Sequence, residues 1–281
     1  MMKKFTPILE WGSLLFTTGI VCFFLVVILW DIISKGAPSL TWEFVSALPT
    51  AGMTKGGILP AIIGTVLLTL ITAIVAAPFG ISCAIYLNEY ASDNWLTRII
   101  RASIRNLAGV PSIIYGLFGL ALFVQGLQMG TSLLAAGLTL GLLSLPYIII
   151  TTEEALRRIP ASTREAALGV GATELESIRD VVLPSAIPGI LTGVVLTLSR
   201  AAGETAPILF TGVAFYINNP SGYLNQEFMA LPYHLYMLST QHQAIEQVRP
   251  LAYGTSLVLI IVVFLLNLSA FYIRYKHNKN D

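Results

Sequence analysis

The sequence predicts an all-α fold, that of a polytopic membrane protein with six transmembrane helices. Among its 281 residues 55% are apolar and only 11% are charged, and the mean hydropathy is +0.76. Soluble domains carry about 25% charged residues. Six apolar stretches are each long enough to cross a hydrocarbon layer of about 30 Å as a helix. The charged residues lie mostly between these stretches, which is typical of a chain that crosses a membrane repeatedly.

The predicted spans cover most of the chain. They lie near residues 11–33, 60–87, 106–127, 131–152, 184–210 and 251–273. Residues 11–30 carry no charge and no small-residue cleavage site follows them, which favours a retained anchor over a signal peptide. We therefore expect an N-terminal helix with an outer loop at 1–59, one membrane domain at 60–273, and a cytoplasmic tail at 274–281.

The distribution of basic residues predicts the orientation of the chain. With six spans, both termini lie on one side of the membrane. The other side holds only Lys35, Lys55 and Arg249, and Arg200 falls inside a span. The formal net charge of +1 gives no indication of nucleic-acid binding. Twelve basic residues on the first side predict that both termini are cytoplasmic: Lys3, Lys4, Arg98, Arg101, Arg105, Arg157, Arg158, Arg164, Arg179, Arg274, Lys276 and Lys279.

A charged loop between the fourth and fifth spans has strong helix signals. Ser162 with Glu165, and Thr173 with Glu176, each fit a capping box, in which side chains satisfy the free amides of a helix start. Between them, Gly169 and Gly171 allow a left-handed turn. We expect two short helices around a glycine turn, with Pro184 opening the next span. On local chemistry alone, an ordinary capped loop remains an alternative.

The same loop carries a spaced pattern of seven residues. It runs Glu-Ala-Ala, three residues, Gly, nine residues, Val, one residue and Leu-Pro. This resembles the signature cytoplasmic loop of ABC-importer permeases, where Ile is preferred at the position of Val181. The resemblance implies the type I ABC-importer permease fold and docking of an ATPase on the pattern residues: Glu165, Ala166, Ala167, Gly171, Val181, Leu183 and Pro184.

The sequence contains no Gly-x-x-x-x-Gly-Lys-Ser/Thr phosphate loop. ATP hydrolysis by that chemistry is therefore expected in a separate chain, and no cofactor is expected in this one. We predict no catalytic residues. The histidines His234, His242 and His277 are too scattered for a metal site.

The fifth span contains an arginine, Arg200. The sixteen residues from Pro184 to Ser199 form about 24 Å of helix, which predicts that Arg200 lies within the outer half of the membrane. A charge there costs about 2.5–3.5 kcal/mol even on lenient insertion scales. Glu204 lies one helical turn away and is close enough to form an ion pair. The alternative is that Arg200 marks the membrane boundary and extends to the headgroups.

Helical spacing places a small and polar stripe on the fifth span: Gly189, Gly193, Thr197, Arg200 and Glu204. Such a stripe predicts a protein-enclosed path. The guanidinium of Arg200 offers a planar fork of donors that matches phosphate or carboxylate oxygens. Glu204 would hold this fork when the path is empty, or repel a misplaced anion. Ser112 and Tyr115 on the third span are further candidates for the path.

Residues 200–207, Arg-Ala-Ala-Gly-Glu-Thr-Ala-Pro, resemble the fifth-span motif of phosphate importer permeases, the PstA and PstC pair. Segments 86–91 and 109–119 support this resemblance, and segment 231–236 is more similar to PstA. The resemblance implies phosphate transport across a bacterial cell membrane. It also implies a heterodimer with a PstC-like permease, two copies of a PstB-like ATPase that uses ATP, and an external PstS-like phosphate-binding protein.

Three alternatives stay open from the residues alone. The first is a permease for another oxyanion, such as sulfate or molybdate. The second is an intramembrane enzyme, although the spans offer few carboxylates and no histidine for a convergent acid, base or nucleophile. The third is a structural or receptor protein, which the two-part cytoplasmic loop disfavours.

Overall fold

The computed structural model describes residues 5–217 and 224–278, and it confirms an all-α chain. The remaining residues, which include Lys3, Lys4 and Lys279 of the charge comparison, lie outside the described part. The helices are α1 (Phe5–Gly36), α2 (Trp42–Ser46), α3 (Leu59–Ile85), α4 (Trp95–Ala108), α5 (Ser112–Gly119), α6 (Leu133–Arg157), α7 (Ala161–Gly169), α8 (Glu174–Glu176), α9 (Leu183–Ala201), α10 (Ala206–Thr211), α11 (Leu231–Tyr236) and α12 (Ile245–Asn278).

Short elements extend or connect these helices. A two-stranded hairpin, β1 (Pro49–Thr50) and β2 (Lys55–Gly56), lies in the loop between α2 and α3. Two 3₁₀ turns occupy Ala37–Ser39 and Ala51–Met53. Four π-helical turns continue α3, α5, α8 and α11: Tyr86–Tyr90, Leu120–Gly126, Ser177–Val182 and Met237–Gln241.

Five helices in the described part of the chain are long and apolar enough to cross a membrane, or six if one bent pair counts as a span. The spans predicted at 11–33, 60–87, 131–152 and 251–273 each fall on one of these helices. The other two predicted spans are interrupted.

The third predicted span, 106–127, is wrong as a straight helix. α4 and the segment 112–126 meet at an angle of 99°. The bend lies at Gly109–Pro111, where proline disfavours helical backbone at Val110. α4 is also amphipathic, and its basic residues recur at helical spacing: Arg98, Arg101 and Arg105. The predicted span began at residue 106 because the apolar run after these arginines dominated the hydropathy.

The fifth predicted span, 184–210, differs at both ends. Helical backbone is continuous over Glu174–Ala201, so Pro184 lies inside a helix and does not open it. The π turn just before Pro184 relaxes the hydrogen-bond ladder where proline lacks an amide hydrogen. The helix ends at Ala201, and after a tight turn the short helix α10 begins at Ala206.

The helix α6 lies at the centre of the molecule and packs against α3, α4, α5, α9 and α10. α3 and α6 run parallel and approach closely because small residues face bulky ones. Gly80 on α3 lies against Ile148, and Gly141 on α6 lies against Val75. Small residues allow such close helix packing inside a membrane. α6 thereby sets the position of the helices that carry the candidate site.

Candidate functional site

The packing of α9 on α6 fixes the depth of Arg200. A Cβ atom on Gly189 would lie 2.9 Å from the Cβ of Ala155, and one on Gly193 would lie 2.5 Å from the Oγ1 of Thr151. These contacts define an antiparallel register. Continued along both helices, the register places Arg200 level with Ser144, near the midpoint of Leu133–Arg157. The predicted location of Arg200 inside the span is thus supported by this register, and not by the length of helix after Pro184.

The predicted ion pair between Arg200 and Glu204 is confirmed. Nε of Arg200 lies 3.5 Å from Oε1 of Glu204; the arginine side chain is 53% exposed and the glutamate side chain 16%. The helix ends between them, and the amides of Gly203 and Glu204 donate to the carbonyls of Arg200 and Ala201. This turn brings the carboxylate back beside the guanidinium.

The guanidinium also contacts an aromatic ring that sequence reasoning missed. Its carbon lies 4.4 Å from the centroid of the Tyr147 ring, a cation–π geometry. The hydroxyl of Tyr147 donates to the carbonyl of Ala108, and that of Tyr115 donates to the carbonyl of Leu107 at 3.0 Å. Two tyrosines therefore hold the last turn of α4, and one of them also holds the arginine.

The other predicted path residues have more local roles in this structure. Ser112 is the first residue of α5, and Tyr115 bonds to Leu107 and not to Ser112. Thr197 is 7% exposed, and its hydroxyl donates to the Gly193 carbonyl at 2.8 Å. The stripe of Gly189, Gly193 and Thr197 is thus a packing face against α6. The role of these three residues in a translocation path stays a prediction, whereas Arg200 and Glu204 come together at an accessible position.

A cavity of about 570 Å³ lies beside the ion pair, between the end of α9 and α12. Buried oxygens border it without hydrogen-bond partners, namely Oγ of Ser199 and Oδ1 of Asn267. Asn267, a polar residue within the last apolar run, was the signal in the sequence for this position. The lining residues are Ser199, Arg200, Gly203, Glu204, Leu259, Ile260, Val263, Phe264 and Asn267.

A second cavity of about 370 Å³ lies between the C-terminal half of α6 and the N-terminal half of α9. Gly189 and Gly193 contribute no side chains to its lining, while Thr151, Thr192 and Arg158 are among its polar residues. The two cavities lie at successive levels along α9.

The loop between α6 and α9 has the predicted helix, glycine turn and second helix, but the second helix is not short, because it continues into α9. Gly171 has φ of +95°, as expected for the left-handed turn after α7. The capping box of Thr173 and Glu176 is confirmed. The one expected at Ser162 and Glu165 is wrong, because α7 begins at Ala161 directly after Pro160 and no side chain caps it.

The pattern residues of this loop are exposed to different degrees. Glu165, Ala166 and Gly171 are exposed, whereas Ala167 is only 8% exposed and packs within the loop. Val181, Leu183 and Pro184 are half-buried in the continuous helix 174–201. The most exposed large apolar side chains of the loop are those of Val170, at 87%, and Leu175, at 64%.

Comparison with known proteins identifies the class. Residues 76–279 match the family described as binding-protein-dependent transport system inner membrane component. The chain belongs to this family, whose members are multi-pass permease subunits of transporters and not enzymes. The intramembrane-enzyme and receptor alternatives are therefore set aside.

Individual relatives refine this assignment. The chain is 32% identical to the probable ABC transporter permease protein YqgI of Bacillus subtilis, over 96% of this chain and 95% of that protein. It is 35% identical to the phosphate transport system permease protein PstA of Xylella fastidiosa, over 85% and 82%. It is 34% identical to the phosphate transport system permease protein PstA 1 of Mycobacterium tuberculosis, over 89% of this chain and 83% of that protein. The resemblance to PstA-type permeases is thus confirmed over most of the chain.

Solved structures confirm the fold. The inward-facing methionine ABC transporter MetNI superposes with a TM-score of 0.65 at 20% identity, over 78% of this chain and 95% of that one. A bacterial alginate ABC transporter, solved in complex with an alginate-bound periplasmic protein, superposes with a TM-score of 0.66 at 16% identity, over 93% and 92%. The fold is that of a type I ABC-importer permease.

Proposed function

We propose that this chain is a permease subunit of an ATP-driven phosphate importer and forms half of its translocation path. The observation that carries the proposal is the Arg200–Glu204 pair at mid-span, within a motif that resembles the PstA and PstC fifth span. Relatives named as phosphate permeases support the substrate.

Arg200 suits an oxyanion because its guanidinium stays charged and donates two parallel hydrogen bonds. In the empty path Glu204 and the ring of Tyr147 hold the guanidinium in place. An arriving phosphate competes with Glu204 for the fork, and the carboxylate then repels the anion onward. Since the arginine is half exposed, this exchange requires no opening of a buried pair.

The partners follow from the type of transporter. A PstC-like permease completes the path, two copies of a PstB-like ATPase bind the cytoplasmic loops, and a PstS-like protein delivers phosphate from outside. Both termini lie in the cytoplasm. ATP-driven closure of the ATPase pair moves the loops and opens the path outward, and hydrolysis returns it inward. A structure of related fold, the alginate ABC transporter solved with a periplasmic protein, supports the general kind of arrangement.

The test is transport by the reconstituted complex. Proteoliposomes holding this chain with its partner permease, ATPase and binding protein should take up labelled phosphate when ATP is supplied, and an ATPase-inactive complex should not. Labelled sulfate and molybdate are offered in parallel. Uptake of either in place of phosphate would establish the alternative, a permease for another oxyanion.

A further inference from the structure

A buried ion pair joins the cytoplasmic loop to the end of α3. Arg164 on α7 donates from Nε and Nη2 to the two carboxylate oxygens of Glu89, at 3.1 and 2.8 Å. Glu89 lies in the π turn that continues α3, and its side chain is only 6% exposed. Asn88 also donates to this carboxylate, at 2.7 Å. The pair spans 75 residues of sequence.

The same guanidinium holds the end of α6. Arg164 donates from Nη1 to the carbonyl of Ile159 at 2.9 Å and from Nη2 to the carbonyl of Leu156 at 3.2 Å. Leu156 belongs to the last turn of α6, whose carbonyls lack intrahelical donors, and Ile159 lies two residues beyond the end of the helix. One side chain of the loop therefore contacts both α3 and α6.

A second arginine also contacts this π turn. Arg101 on α4 donates to the carbonyl of Leu87 and, at 3.1 Å, to the carboxylate of Glu153 on α6. The side chains of Arg101 and Glu153 are 19% and 11% exposed. Glu153 is thus largely removed from solvent, although it lies near the end of α6. We call Glu89, Arg101, Glu153 and Arg164 the arginine joint.

The four side chains of the joint should keep their mutual geometry when the surrounding helices move. A carboxylate removed from water is stable only while its partners keep their geometry, and a two-atom contact with a planar guanidinium restricts rotation. A nearby exposed pair shows the contrast. Arg98 and Asp93 are 69% and 68% exposed, so water can replace either partner at little cost.

We propose that Glu89 and Arg164 are positioning residues that pass the movement of α7 to the cytoplasmic ends of α3 and α6. The proposal rests on the proposed function, because it assumes that an ATPase moves the loop. Apart from the joint, α7 is held by the connecting residues 158–160 and by its packing against the turn Ser177–Val182, and neither ties it to the end of α3. With the joint, α7, α6 and the end of α3 rotate together. Because α9 packs on α6, this rotation also moves Arg200 at mid-span.

The test measures a distance inside this chain within the assembled importer. Spin labels are attached at Ser162 on α7 and at Tyr90 after α3, both exposed. The proposal predicts the same distance distribution in the nucleotide-free and ATP-bound states. In Glu89→Gln the distribution should broaden on ATP binding, and phosphate taken up per ATP hydrolysed should fall about fivefold. Asp93→Asn, the matched change in the exposed pair, should alter neither quantity.

If the Glu89→Gln protein does not accumulate, Arg164→Lys is measured in its place. Lysine keeps the charge but cannot bind both carboxylate oxygens of Glu89, so the distance distribution should broaden in the same way. A wild-type distance that changes between nucleotide states, or an Arg164→Lys variant with unchanged distances and unchanged uptake per ATP, would overturn the proposal. The distance measurement uses no phosphate, so absent phosphate uptake by the wild type would count against the substrate and not against the joint.

Discussion

The guanidinium of Arg200 lies over the face of the Tyr147 ring, 4.4 Å from its centroid, at the level where α6 is halfway through its length. The ring supplies a negative face on one side while the carboxylate of Glu204 lies 3.5 Å away on another. A cation at mid-span thus has two stabilising partners and still remains half exposed. This combination distinguishes it from Arg101 and Arg164, whose charges are largely enclosed by their partners.

Replacing Tyr147 should separate its two roles. Tyr147→Phe keeps the aromatic face and loses the hydrogen bond to Ala108, whereas Tyr147→Leu loses both. Because a cation–π contact contributes roughly 0.5–2 kcal/mol, we expect Leu to reduce phosphate uptake several-fold more than Phe at equal protein level. Equal uptake by the two variants would show that the ring face is not used.

The glycine turn of the loop should be needed for docking of the ATPase. Gly171→Val places a β-branched residue at φ of +95°, which costs about 1–3 kcal/mol and distorts the turn. Gly169→Val adds the same side chain at a helical position with no atom within 4 Å of the new Cβ. Co-purification of the ATPase should fall with the first variant only. A loss of equal size in both would point to the added side chain and not to the backbone.

The register of α9 on α6 is tested at Gly193. Gly193→Ala puts a Cβ 2.5 Å from the Thr151 hydroxyl oxygen, and such overpacking costs typically about 1–3 kcal/mol. The midpoint of thermal denaturation should therefore fall. Gly19→Ala on α1, where a Cβ meets no atom within 4 Å, is the matched control and should not lower it. An unchanged midpoint in Gly193→Ala would contradict the register that places Arg200.

The short helix α11 should be acid-sensitive through one histidine, His234. Burial, and to a lesser degree the charge of His242, lowers the pKa of His234 from 6.5 to about 4. A lowered pKa means that folding favours the neutral ring. Its stabilisation is therefore complete above pH 6.5 and is lost as the pH falls towards 4, by about 3 kcal/mol in total. Thermal denaturation at pH 7.5 and pH 5 should show the larger part of this decrease in the wild type, about 2 kcal/mol.

The control for this effect is His234→Leu, which fills the same apolar surroundings without a titrating group. Its denaturation midpoint should depend less on pH than that of the wild type between pH 7.5 and 5. The same pH dependence in both proteins would assign the effect to other groups.

Much of the organisation could be predicted from the sequence. Hydropathy located most of the spans, the pair of Thr173 and Glu176 predicted a capped helix start, and the four-residue spacing of Arg200 and Glu204 predicted their contact. These features depend on residues close in sequence, or on composition averaged over a window. Both are directly readable from a chain.

The interruptions and the joint could not be predicted in this way. An apolar window reports composition and not direction, so the 99° bend near Pro111 and the end of α9 at Ala201 stayed hidden. Glu89 and Arg164 meet only because α3, α6 and α7 pack together, and each residue alone resembles an ordinary charge at a membrane surface. Tyr147 was missed for the same reason, since its contact with Arg200 joins α6 to α9 and depends on how these helices pack.

The central claim is that Arg200 serves the path of an oxyanion, and labelled-phosphate uptake by the reconstituted importer tests it most directly. Arg200→Ala should abolish uptake at wild-type protein level and assembly, because the anion loses its fixed positive partner. Arg200→Lys should restore little, since it keeps the charge and loses the planar fork. Wild-type uptake by Arg200→Ala, or full restoration by Arg200→Lys together with a silent Glu204→Gln, would contradict the claim and leave Arg200 as a membrane anchor.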